Sequence, residues 1–461
     1  MYTKMLTAQL DIPDIIGASS HQHQTSPASP LPSWQQPDHP TAHDRFRQIF
    51  RDHWDRWCDL RLENEVPPDQ RAYVRKIVQR LMSCRDPNAG YARYVCPGCQ
   101  YERCVPFSCK TRFCPSCGKV RVDNCVNDIT CDLLEVSHLH ITLTTDDLLW
   151  PCFLDDRSRL KTLLKTGAQV VRELVDELYP GVRIGMVYTV HTYGRDLGFK
   201  PHVHLVMTKG GLKDGEWVEI DSIPVPRLAA RWRYLLCKHL RQARPHDPAL
   251  RRAIDQGYRD HRGYQVHTDS FYPEGLEAAR YIGRYLGHPP IATSHITIYD
   301  GQPVTYWYID SNTKQRVTVS CSALDFISSL VPHIPPKGMQ IVRYAGLYAR
   351  NVKRKIADIV RTALEAIRLQ VPLFDLEPMV QSSQHLNWRE RIKASFGYDP
   401  LECPHCGCIM QLAGIWEPQR GHIWMKRWID THRMRKAARL AMERPREALP
   451  HYRQLEFNFD T

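Results

Sequence analysis

No stretch of this 461-residue chain suits a lipid bilayer, because no apolar run approaches the roughly 20 residues that a crossing helix needs. The N-terminus, MYTKMLTAQLDIPDII, has one lysine and early aspartates but no sustained apolar run, so no export signal is expected. No glycine-rich loop opens a helix after a parallel strand, which argues against hydrolysis of a nucleoside triphosphate. Acidic charge is the scarcer sign. The 62 Lys and Arg residues outnumber 50 Asp and Glu, leaving +12 and an isoelectric point near 9.0. That balance favours an anionic partner, nucleic acid first. Neither a membrane nor a small-molecule substrate is expected.

Apolar residues make up 43% and charged residues 24%, as in ordinary globular chains, and the length leaves room for about three domains. The 16 cysteines of an unexported protein point to metal rather than disulfides. Half of them fall between Cys96 and Cys131, and three more form Cys403-Pro404-His405-Cys406-Gly407-Cys408.

In chain order, residues 1–41 are rich in Ser, Pro, Gln and His and are expected to be a disordered tail. A helical lead-in covers 42–92, with Phe46, Phe50, Trp54 and Trp57 at three- and four-residue spacing on a core face. A zinc ribbon is expected over 93–131. There Cys96-Pro97-Gly98-Cys99 and Cys114-Pro115-Ser116-Cys117 are two knuckles whose spacing suits one tetrahedral thiolate site, with Cys109 as the substitute ligand. Lys110, Arg112, Lys119 and Arg121 flank the knuckles and suit phosphate contacts.

Residues 136–290 carry the core. Strand patterns at 138–145, 185–193, 200–207 and 264–269 are interleaved with helices at 155–178 and 226–243. The order β-α-β-β-α-β predicts an α+β protein with a ferredoxin-like (RRM-like) antiparallel sheet. Residues 291–370 read as a β-rich and helical continuation, with strands between 295 and 320. The tail, 371–461, holds the last cysteine knuckle and a basic helix at 420–446. A helix of that kind is more often a solvated face, although with this net charge phosphate contact is reasonable.

Within the core, Lys200-Pro201-His202-Val203-His204-Leu205-Val206-Met207 alternates with a period of two. His202, His204 and Val206 share one face, while Val203, Leu205 and Met207 form the other and read as core. Two neutral imidazoles so placed can bind one divalent cation, and two polar residues on a solvated strand face would look the same. A helix then follows at 276–286. Its apolar stripe is Leu276, Ala279, Ile282 and Leu286, so Tyr281 and Tyr285 share a second face with Arg280 and Arg284 between. Paired aromatics are usually core, but here the core stripe is already occupied.

These motifs occur in a fixed order: SCKTRFCPSC, HTYGRDLGFKPHVHLVMTKGGL, ARYIGRYLGHPPIA, PHIPPKGMQIVRYAGLYA and CPHCG. The set, spanning about 45–415, resembles the two-tyrosine HUH transposases of the insertion sequence 91 family. The resemblance implies an HUH nuclease core and rolling-circle-type transposition on single-stranded and hairpin DNA at element ends. It also implies a 5′-phosphotyrosine link and strand transfer without ATP. His202 and His204 match the HUH histidines, and Tyr281 and Tyr285 match the tyrosine pair. Phe113 departs from the pattern, since many relatives carry His before the second knuckle.

A metal of the Mg²⁺ or Mn²⁺ class on two imidazoles wants a third protein ligand. His191 on the partner strand is the first choice, before Glu277 and Asp196. Arg280 and Arg284 suit phosphate contacts, and Zn²⁺ is the expected structural metal. His138-Leu139-His140 is a second His-x-His that ranks lower but borders the site if its strand lies beside the first. Tyr344 and Tyr348 are a second i, i+4 pair with a packing role. The alternatives are an HUH replication initiator or relaxase, and a non-catalytic zinc-dependent DNA-binding regulator. A cytoplasmic, nucleoid-associated protein is expected.

Overall fold

A computed structural model of the protein describes residues 42–134, 136–260, 263–271, 283, 289–368 and 387–424. The tail 1–41 and most of the helix expected at 276–286, including Glu277, Arg280, Tyr281, Arg284 and Tyr285, lie outside the described residues. The chain divides into two compact units. The larger takes its described residues from 42–84 and 108–368, and the smaller from 85–107 and 387–424.

The strands, in chain order, are β1 (Tyr91–Val95), β2 (Glu102–Pro106), β3 (His138–Leu143), β4 (Arg183–Tyr193) and β5 (Phe199–Lys213). There follow β6 (Glu216–Glu219), β7 (Val266–Phe271), β8 (Ile296–Ile298), β9 (Val304–Ile309) and β10 (Arg316–Cys321). Last come β11 (Arg343–Gly346), β12 (Gln411–Glu417) and β13 (Gly421–Trp424).

The larger unit is built on an antiparallel sheet of order β11-β4-β5-β3-β7, with β6 paired to the far end of β5. The β4–β5 hairpin enters beside β3, and β7 closes the other edge of β3 after the helices Val225–Ala243 and Pro248–Asp260. The helices Arg159–Leu178 and Val225–Ala243 share one core with one face of this sheet. The reason is visible in the alternation of β5. Val203, Leu205 and Met207 are each 0% exposed beneath the helices, and such burial is worth about 1.5–3 kcal/mol per side chain. Gly167 lets the first helix approach closely, since a Cβ there would stand 3.0 Å from Val203 Cγ1. Every second residue of β5 is therefore turned to the opposite face, and that face carries His202 and His204.

The lead-in forms a second core in the same unit. Phe46, Ile49, Phe50, Trp54 and Trp57 line one stripe of the helix Ala42–Leu60. They pack with Val74, Ile77, Val78 and Leu81 of the helix Pro68–Met82 and with Phe326 and Ile327 of the helix Ala323–Leu330. Trp57 Nε1 donates to Ser328 Oγ at 2.8 Å, so the largest buried ring also has its one polar atom satisfied. The segment expected to be β-rich forms a three-stranded antiparallel sheet, β10-β9-β8.

The smaller unit is a four-stranded antiparallel sheet, β13-β12-β1-β2. Two chain segments thus make one sheet, with Tyr91 stacked on its register partner Trp416 at 5.4 Å. This changes two expectations. The ribbon expected over 93–131 is divided: 93–107 belongs to this sheet, while the second knuckle opens the helix Pro115–Asp132 of the larger unit. The start of the expected basic helix, Gly421–Trp424, is a strand pairing with β12, and 425–446 lies outside the described residues. Among the described residues no helix is long and apolar enough to cross a membrane.

Candidate functional site

Register builds the site. In the β4–β5 hairpin His191 stands opposite His202 and Thr189 opposite His204. On the other side of β5, Thr142 of β3 stands opposite His204, and His140 stands opposite Val206. All these side chains project from the sheet face turned away from the helices.

The ligating nitrogens of His191, His202 and His204 lie within 4.8 Å of one another. His202 Nε2 and His204 Nε2 are 3.1 Å apart, close to the separation of two ligands on one cation with bonds of about 2.1 Å. The rings meet edge to face, with centroids 4.8 Å apart for His202–His204 and for His191–His204. The outer nitrogens are also engaged. His202 Nδ1 lies 2.6 Å from the Lys200 carbonyl, which only accepts, so the proton sits on Nδ1 and the Nε2 lone pair faces inward. His204 Nδ1 lies 3.0 Å from His140 Nε2 and 3.2 Å from Thr142 Oγ1. Asp269 of β7 is the register partner of His140, which extends this chain of polar groups across the sheet.

Burial favours the neutral form of His202 and His204, the form that binds metal. Burial, then repulsion from His191, His202 and His140, holds His204 well below the usual imidazole range. Burial also lowers His202, against the opposing pull of the Lys200 carbonyl. His140 is pushed down to about 4 by burial, partly offset by Asp269. Three nitrogen donors on one rigid sheet face suit a divalent cation whose remaining positions go to water or substrate oxygens.

The other candidates are placed as follows. Asp196 sits in the β4–β5 turn, where it is ion-paired to Lys200 at 2.7 Å and caps the Gly198 amide at 3.2 Å. It is thereby engaged in the turn, away from the three histidines' ligating atoms. His138 is fully buried, and its Nε2 lies 2.7 Å from the Tyr348 hydroxyl. That hydroxyl also accepts from the Leu134 amide at 3.2 Å. The Tyr348 ring is 3% exposed and packs on Val187 and Val206, with Tyr344 at the margin of the same cluster. Of the stretch 272–288 only Gly283 is described, as a buried helical residue.

The cysteines are arranged differently from the expectation. Cys96, Cys99, Cys114 and Cys117 do not meet around one centre. Cys114 and Cys117 cluster with Cys84 and Cys109, with sulfur separations of 3.6 Å (Cys109–Cys117), 3.8 Å (Cys84–Cys117) and 3.8 Å (Cys84–Cys114). Tetrahedral sulfur ligands with bonds of about 2.3 Å stand about 3.8 Å apart, so four thiolates fit one zinc here. Phe113 is buried in the same core and adds no donor. Cys96 and Cys99 instead face Cys403 and Cys406 in the smaller unit. The physical reason is that the turn between β1 and β2 carries the first knuckle, and β1 pairs with β12, which the last knuckle precedes. Sequence reasoning missed Cys84 because it lies at the end of a helix with no C-x-x-C partner. It ranked His140 low because adjacency to His204 depends on the β3–β5 register.

The sequence is similar to two described families and to known proteins. Residues 185–355, which include all but the first two residues of β4, the whole of β5 and their histidines, match a family described as "Putative transposase". Residues 49–145 match a family described as a transposase zinc-binding domain, and this span contains Cys84, Cys109, Cys114 and Cys117. The chain is 28% identical over 348 residues to the transposase for insertion sequence element IS801 of Pseudomonas savastanoi pv. phaseolicola, covering 72% of this chain and 82% of the relative. It is 23% identical over 353 residues to "Putative transposase y4qJ" of Sinorhizobium fredii (strain NBRC 101917 / NGR234), covering 72% and 86%. No solved structure matches.

Proposed function

Since the chain belongs to the insertion sequence 91 family of transposases, we propose that it nicks and rejoins single-stranded DNA at the ends of its element through a 5′-phosphotyrosine link. The observation that carries this reading is the convergence of His191, His202 and His204 on one face of the antiparallel sheet. On this reading the sheet is an HUH nuclease core. A non-catalytic regulator would have no use for that cluster, and the positive net charge suits a DNA partner.

The three histidines would hold a divalent cation, Mg²⁺ or Mn²⁺. When bound, such an ion neutralises phosphate oxygens and thereby exposes phosphorus to attack. The chain's own part is positioning. The Lys200 carbonyl fixes the tautomer of His202, and His140 braces the His204 ring, so the site is formed before DNA arrives. Tyr281 and Tyr285 are the proposed nucleophiles. The hydroxyl of one attacks phosphorus, the bond to the 3′ oxygen breaks, and the 3′-hydroxyl leaves while the 5′ end stays on tyrosine. The phosphotyrosine conserves the energy of the broken bond, so rejoining needs no ATP. Arg280 and Arg284 are proposed phosphate contacts.

Two expected results test the supports of this site. Replacing His140 by Gln should weaken Mn²⁺ affinity about 10- to 100-fold, with nicking restored by raised Mn²⁺. Unchanged affinity in a calorimetric titration would remove His140 from the site. Cys114→Ser should abolish zinc at the Cys84/Cys109/Cys114/Cys117 cluster and destabilise the helical lead-in that packs on it. Retention of full zinc content by elemental analysis would exclude that ligand set. The reading as a whole is tested by trapping: labelled single-stranded DNA bearing an element end should become covalently attached to the protein when the metal is present.

A further inference from the structure

We propose a second zinc site, formed by Cys96, Cys99, Cys403 and Cys406, that staples the two chain segments of the smaller unit into one module. The zinc-binding family match ends at residue 145, so two of these four cysteines lie outside it. The inference does not depend on how the larger unit treats DNA.

The site is formed by two knuckles with the same backbone. In Cys96-Pro97-Gly98-Cys99-Gln100-Tyr101, the Gln100 amide donates to the Cys96 carbonyl at 3.0 Å, and the Cys96 amide donates to the Tyr101 carbonyl at 2.8 Å. In Cys403-Pro404-His405-Cys406-Gly407-Cys408, the Gly407 amide donates to the Cys403 carbonyl at 2.9 Å, and the Cys403 amide donates to the Cys408 carbonyl at 2.9 Å. The residue after the second cysteine is left-handed in both, with φ of 60° at Gln100 and 70° at Gly407. A non-glycine residue held at positive φ is a local cost that a turn tolerates when something fixes its shape. Here both turns aim two sulfurs at the same point.

The sulfurs meet across the pair. Cys96 Sγ lies 3.3 Å from Cys406 Sγ, and Cys99 Sγ lies 3.6 Å from Cys403 Sγ. All four are within 4.8 Å of one another. These separations are too long for a disulfide, at about 2.05 Å, and near the edge of a four-thiolate zinc tetrahedron. Gly98 leaves room for the approach, because a Cβ there would meet Cys408 Sγ at 2.9 Å and Cys406 Sγ at 3.3 Å. The Tyr101 and His405 rings meet at a tilt with centroids 4.5 Å apart, joining the knuckles on one flank. Cys96 and Cys403 are buried with Met410, whereas Cys99 and Cys406 are exposed, so metal can enter from solvent.

The ligand pairs are 310 and 304 residues apart in sequence. A four-stranded sheet made of a short hairpin and a distant tail buries little apolar surface, and small modules of this kind depend on a staple. Residues 108–368, the greater part of the larger unit, are in sequence an insertion between the two halves of this zinc module.

The test is zinc content of the purified full-length chain. The wild type should hold two zinc equivalents. Cys403→Ser and Cys406→Ser should each hold one, as should Cys114→Ser, and Cys403→Ser combined with Cys114→Ser should hold none. Limited proteolysis should then cut the 387–424 segment faster in Cys403→Ser than in the wild type. A variant that does not fold leaves the wild type to decide. Two cobalt equivalents with sulfur-to-metal charge-transfer absorption support the proposal, and one overturns it. Two zinc equivalents in Cys403→Ser would also overturn it, and zinc loss in Cys408→Ser with retention in Cys406→Ser would overturn the ligand set.

Discussion

Alanine at His204 should lower metal-dependent nicking of single-stranded DNA by about a thousandfold or more, because a cation at such a site supplies several kcal/mol of charge stabilisation. His204 is the residue to change first. It is central in the cluster, sharing ring contacts with His191, His202 and His140. His202→Ala should behave similarly, since the two Nε2 atoms are 3.1 Å apart, close enough to share the proposed ion. Binding of DNA should be nearly unchanged, because phosphate contacts from a net positive chain do not depend on these neutral rings. If binding and nicking fall together, these histidines support the fold and not the chemistry. His138→Ala should cost less nicking, since its ring is committed to Tyr348 in the interior.

The double replacement Tyr281→Phe with Tyr285→Phe should eliminate the covalent DNA adduct. Phenylalanine retains the ring and removes only the oxygen that forms the bond to phosphorus. Each single replacement should keep one cleavage and lose complete transposition, because in the proposed mechanism one tyrosine holds the first cut end while the other attacks the second. The two residues are four apart on a predicted helix, so their hydroxyls can approach one phosphate in turn. Adduct formation at wild-type level in the double variant would exclude both residues. Tyr348→Phe, by contrast, should leave the adduct intact while removing the bonds from its hydroxyl to His138 and Leu134.

Much of this arrangement was legible in residue order. The alternation of β5 separates His202 and His204 from Val203, Leu205 and Met207 with no knowledge of the neighbours. The helix Ala42–Leu60 announces its buried stripe through Phe46, Phe50, Trp54 and Trp57. What could not be read depends on long-range pairing. Every C-x-x-C knuckle has the same local claim on a zinc. Only the pairing of β1 with β12, some three hundred residues apart, assigns Cys96 and Cys99 to Cys403 and Cys406. Cys84 has no neighbouring cysteine at all, and its place beside Cys114 follows from the packing of the lead-in helices. His140 illustrates the same point within the sheet: a shift of one residue in the β3–β5 register would turn its ring to the opposite face.

The measurement closest to the central claim is peptide mapping of the covalent adduct trapped on labelled single-stranded DNA from an element end, with and without Mn²⁺. The account expects a metal-dependent adduct on Tyr281 or Tyr285, lost in His204→Ala. An adduct on Tyr344 or Tyr348, or one that forms equally well without metal and without His204, would contradict it.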